Sequence, residues 1–198
     1  MPLASVRSRL AALLAVLALV LGAAPAAAAV DITFYSRELG STFPHAFVVL
    51  KGQLDRDGSR IDEDYGFTAK AVTPAILFGP VKGEVVSDQD GSYARGSDKH
   101  FTITLSDAEY DRVMAVVERW RTARQPSYRL DKANCIHFVG EIATAIGIDG
   151  APRKGLMKKP RSFLVAVTEA NRSVLAARGA VFHRLQVPAA ESRPTAVR

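Results

Sequence analysis

Segment 134–147 sets the strongest condition on any fold this chain can adopt. Cys135, Phe138, Val139, Ile142 and Ile146 recur at three- and four-residue spacing, so they line one face of an amphipathic helix. Asn134 is a good N-cap for that helix and Gly147 a stop signal. The cysteine therefore falls in the first turn, where free backbone N–H groups and the helix dipole favour an anion. A thiolate is such an anion, and a helix start lowers the pKa of a cysteine placed there.

Cys135 is the only cysteine in 198 residues, and the chain begins like an exported one. Arg7 and Arg9 precede a continuous apolar run from Leu10 to Leu21, and alanines 26–29 follow Pro25. This is the pattern of a signal peptide cleaved after Ala29. The expected organisation is a signal peptide over 1–29, one domain over 30–187 and a flexible tail over 188–198, in a secreted or periplasmic protein with no stable membrane span after cleavage. An unpaired cysteine in such a protein is an intermolecular disulfide, an idle thiol or a reactive one. Its place at a helix start favours reactivity.

Removal of Arg7 and Arg9 leaves 24 of 26 basic residues against 20 acidic ones, a formal charge of +4. So small an excess selects no partner. Nucleic acid is not expected, because no basic-aromatic motif is present. The oligomeric state is not legible.

Short strands are expected at 31–35, 45–50, 65–69, 75–80, 83–87, 100–105 and 181–187. Asp55-Arg56-Asp57-Gly58 reads as a hairpin turn. Clustered carboxylates at Asp55, Asp57, Asp62 and Asp64 suggest calcium less than a solvated hairpin, since the EF-hand spacing is absent. Residues 88–99 form a polar loop long enough to lie over a cleft. Ser106 and Glu109 make a capping box for a helix running to about Arg124 that buries Tyr110, Val113, Val117 and Trp120. Ser162 can cap a further helix over 163–170. Before it lies a basic loop with Arg153, Lys154, Lys158, Lys159 and Arg161, a candidate surface for anionic polymer.

A thiol nucleophile needs a base. His45 stands at the start of the apolar strand 45–50, with Phe47 and Val49 on its face and Ala46, Val48 and Leu50 on the other. It is the best candidate of four histidines. His137 lies about 200° round the helix from Cys135 and suits packing or hydrogen bonding. His100 opens a strand after the polar loop, and His183 has no motif around it. Paired cysteines, HExxH and close His/His spacing are all missing, so no metal is expected, and no cofactor either. The G-x-S-x-G elbow of serine hydrolases is missing too.

Asn134-Cys135-x-His137-Phe138-Val139, preceded by Tyr128 and Leu130, together with the strand His45-Ala46-Phe47-Val48-Val49, resembles the circularly permuted branch of the NlpC-type papain-like superfamily. That branch includes the lecithin retinol acyltransferase-like proteins. In it the histidine strand precedes the cysteine helix, as His45 precedes Cys135 here. The resemblance implies an α+β fold, a small antiparallel sheet packed against the cysteine helix. It further implies Cys135 as nucleophile, His45 as general base and the Cys135 N–H as an oxyanion donor. Proteins of this kind cleave or transfer acyl groups at amides, esters or thioesters, so a peptide, peptidoglycan or acyl-lipid substrate is expected. The family's third polar residue has no evident match. Asp64 is the first choice among Asp64, Tyr65, Thr68 and His100. A non-catalytic peptide- or lipid-binding module on the same fold is the alternative.

Overall fold

The computed structural model describes residues 29–38, 44–71, 73–87 and 91–185. Residues 1–28 of the expected signal peptide and the tail over 188–198 lie outside those residues. The described chain is α+β, with an antiparallel six-stranded sheet in the order β4-β3-β2-β1-β5-β6. The strands are β1 (Val30–Arg37), β2 (His45–Gln53), β3 (Arg60–Ala69), β4 (Gly83–Val86), β5 (Asp98–Leu105) and β6 (Val181–Phe182). The helices are α1 (Ser92–Arg95), α2 (Asp107–Arg121), α3 (Cys135–Ala145), α4 (Pro160–Ala170) and α5 (Arg172–Ala177).

The alternation in β2 divides the molecule. Ala46, Val48 and Leu50 join Ile32, Phe34, Phe67 and Phe101 in the main core, which α2, α3 and α4 cover. Phe47 and Val49 point the other way, where Tyr35, Tyr93 and Ala94 form a small second cluster. Phe67 is fully buried and holds three elements together, with ring centroids 4.6 Å from Trp120, 5.8 Å from Tyr128 and 6.4 Å from Phe138.

Several local expectations hold. The capping box at Ser106 and Glu109 is formed, and Asp55 to Asp57 make the turn between β2 and β3. Asp57 accepts from the Ser59 N–H at 2.8 Å and Asp62 pairs with Lys51, so these two carboxylates serve the hairpin itself. Gly147 takes the left-handed conformation, φ +80°, just past the end of α3, where a side chain would be strained.

Others are corrected. Residues 75–80 are not a strand: Pro74–Leu77 is a single 3-10 turn, with Pro74 in its first position. Pro74 suits the first position of a helical turn, and the N–H groups of Ile76, Phe78 and Gly79 are spent within it on the carbonyls of Thr73 and Ala75. Ser162 does not cap its helix, which starts two residues earlier with Pro160 in its first turn and Lys159 as N-cap. The helix from Asp107 ends at Arg121 instead of running to Arg124, and Trp120 is only partly buried while Val116 is fully so. The strand expected at 181–187 covers Val181–Phe182, and 186–187 lie outside the described residues. Of the polar loop at 88–99, Ser92–Arg95 is one helical turn and β5 begins at Asp98.

Candidate active site

The β2–β3 ladder runs from Phe47 opposite Gly66 to Gln53 opposite Arg60. His45 and Ala46 lie beyond its end, although both still pair with β1. β3 meanwhile continues to Ala69 with β4 as its partner. The two strands have parted here, and a cavity of about 410 Å³ opens between them. Cys135, His45, Asp64, Thr68, Tyr93 and Tyr128 are among its lining residues.

Cys135 reaches this gap from the helix side. Asn134 fixes the start of α3, with its Oδ1 accepting from the N–H groups of Ile136 at 2.9 Å and His137 at 3.3 Å. Its Nδ2 donates to the carbonyls of Leu130 and Met157 at 2.8 and 2.7 Å. The His137 ring returns to Asn134 and completes a capping box, so that histidine holds the helix start. Near the sulfur, the backbone N–H groups of Ala46, which lies beyond the β2–β3 ladder, of Ile136 and of Cys135 itself act to lower the pKa of the thiol.

Burial of the sulfur nevertheless dominates. The thiol is pushed up to about 11 despite the three N–H groups, which reverses the lowering expected from its helix position. Desolvation disfavours the thiolate more than local dipoles favour it. The Tyr128 hydroxyl, also buried, is raised to about 12 by desolvation and then by the charge of Cys135.

His45 comes from the opposite side of the sheet, on the face of Phe47, with ring centroids 6.1 Å from both Phe47 and Tyr93. Burial holds it at about 4. Its Nε2 lies against Gly66, where a Cβ would fall 2.3 Å from that nitrogen. Asp64, two residues earlier on the same face of β3, lines the cavity as well.

The other candidates for the third residue divide. Thr68 lines the cavity. Tyr65 faces the main core and donates to Glu63 at 3.1 Å. His100 is buried elsewhere, its Nε2 2.8 Å from Ser36 Oγ, and is held at about 4, chiefly by desolvation. His183 sits beside Thr102 at 2.8 Å. Among the described residues no group of three or more His, Cys, Asp or Glu side chains could hold a metal ion.

These shifts fix how stability depends on pH. Between about 4 and 6.5 the unfolded chain binds protons that folded His45 and His100 refuse, so stability falls as pH drops through that range. Each histidine contributes on the order of 3 kcal/mol to that loss. Folded Cys135 keeps its proton between 9 and about 11 while the unfolded thiol releases it, so stability also falls on the alkaline side. Thermal denaturation should give the highest Tm between about pH 6.5 and 9. His100→Gln should flatten the acid limb, and an unchanged limb would show that His100 is not held neutral.

Compared with known proteins, the chain matches no family model, and no curated protein or solved structure matches it either. Among the described residues no helix is long and apolar enough to cross a membrane.

Proposed function

We propose that this is an exported cysteine hydrolase or acyltransferase that acts on an amide, ester or thioester through Cys135 and His45. The observation that carries the reading is the cavity where β2 and β3 part, which Cys135, His45 and Asp64 line together. The order of histidine strand and cysteine helix, and the packing of α3 on β2 and β3, support a permuted papain-like arrangement.

At neutral pH the resting pair is a thiol and a neutral imidazole. His45 thus has a free lone pair and Cys135 a proton to give, which is the starting state for general-base attack. As the sulfur bonds to the substrate carbonyl carbon, its proton passes to His45 and the carbonyl electrons move onto oxygen. In this reading the backbone N–H of Cys135 donates to that oxygen. Collapse expels the amine, alcohol or thiol, which takes the proton from His45 and leaves a thioester on Cys135. Water or another acceptor, deprotonated by His45, then releases the acyl group and restores the thiol. Asp64 is the residue proposed to orient His45.

The neutral resting pair also favours a second function, a non-catalytic module that binds a peptide or lipid in the same cavity. Incubation with peptidoglycan fragments and with phospholipids separates the two. Product from the wild type and none from Cys135→Ser supports catalysis. Binding retained by both proteins with no product from either supports the binding module.

A further inference from the structure

Next to Ile76, a lining residue of the Cys135 cavity, the surface carries an apolar tip with cations around it. Phe78 is 88% exposed and Leu77 71%, the two most exposed large apolar residues among those described. They follow Ile76, which is buried and lines the cavity. One short turn thus has its foot in the candidate active site and its tip in solvent. Leaving two adjacent large apolar side chains in water is unfavourable unless a partner covers them.

The neighbouring charges indicate which partner. Leu77 and Phe78 share a depression of about 350 Å³ with Arg129, Asp131 and Lys158. The segments that carry the two cations are both anchored to Asn134, through the carbonyls of Leu130 and Met157. Lys70 and Lys82 are exposed beyond the other end of the turn, joined by a backbone hydrogen bond of 2.8 Å. A soluble anionic polymer would engage these cations but leave Leu77 and Phe78 in water. An anionic bilayer satisfies both, since apolar side chains enter the acyl boundary while cations meet headgroup phosphates.

We propose that Leu77 and Phe78, with Arg129 and Lys158, form a docking surface for an anionic phospholipid bilayer, which sets the mouth of the Cys135 cavity against the membrane. This surface goes beyond the catalytic reading and does not depend on it. The test places a reporter at the tip, so that binding through any other part of the chain is not counted. Phe78→Trp in the full chain is titrated with phosphatidylcholine vesicles with and without phosphatidylglycerol, and wild-type emission from Trp120 is subtracted. Tryptophan at 78 should shift to the blue and become shielded from acrylamide only when phosphatidylglycerol is present. Arg129→Glu with Lys158→Glu in the same background should weaken the response about tenfold. A rise from 0.05 to 0.5 M salt should weaken it similarly. Cys135→Ser should leave it unchanged, so loss of catalysis and loss of docking are read separately. Unaltered emission at saturating phosphatidylglycerol would overturn the proposal. So would an equal shift with soluble polyphosphate, which would assign the surface to a polymer.

Discussion

Replacement of Cys135 by Ser is expected to stop thioester formation with an activated ester such as p-nitrophenyl butyrate, while His45→Ala should slow it by on the order of 10³-fold. On the proposed mechanism the two losses differ because Cys135 supplies the bond-forming atom, whereas His45 supplies only a path for its proton. The pH profile follows from the shifted groups. His45 is held at about 4 and Cys135 at about 11, so the pair keeps one protonation state between those values. Acylation by the ester should therefore be nearly flat across neutral pH and fall as pH drops toward 4, where His45 gains a proton. Alkylation by iodoacetamide, which needs a preformed thiolate, should instead climb about tenfold per pH unit until it levels near 11. A thiolate–imidazolium pair would give rapid alkylation at neutral pH, so comparison of the two reagents distinguishes the resting states.

Gly66→Ala is expected to lower acylation by about 100-fold with little change in the amount of folded protein. The new Cβ would stand 2.3 Å from His45 Nε2. Because that nitrogen is the far end of a side chain at the start of its strand, the ring should move before the sheet does. A displacement of about 1 Å at a catalytic group is enough for a loss of this size. On the proposed mechanism Gly66 is a positioning residue. Kinetics and a structural readout should agree: kcat should fall while substrate binding persists, and the His45 ring resonances should shift. Wild-type rates in Gly66→Ala would show that the Gly66 face of His45 is not its working position.

Features that depend on neighbours along the chain were legible in the sequence. The period of Cys135, Phe138, Val139 and Ile142, the Asn134 cap and the Gly147 stop are all local, and α3 has those bounds in the structure. The two faces of β2 followed from alternation in the same way. What could not be read was where β2 and β3 part, because register is a property of paired strands. That parting opens the cavity. Burial was equally hidden: a helix start argues for a lowered thiol, and only the packing of Cys135 reveals that desolvation prevails. Gly66 did carry a signal, since an isolated glycine between Tyr65 and Phe67 in a strand marks a close approach. Tyr93 carried none, being set in a polar loop whose helical turn brings it over His45. At 75–80 an apolar run suggested a strand, but the structure leaves Leu77 and Phe78 in solvent. The residues that misled the strand assignment are the ones proposed to meet the membrane.

The most direct measurement of the central claim, that Cys135 and His45 act as one nucleophile and base, is intact-protein mass spectrometry after mixing with p-nitrophenyl butyrate at pH 7. The wild type should gain one butyryl group, mapped by digestion to Cys135, with Cys135→Ser unmodified and His45→Ala acylated on the order of 10³-fold more slowly. Equal acylation rates in the wild type and His45→Ala, or a butyryl group on any residue other than Cys135, would contradict the claim.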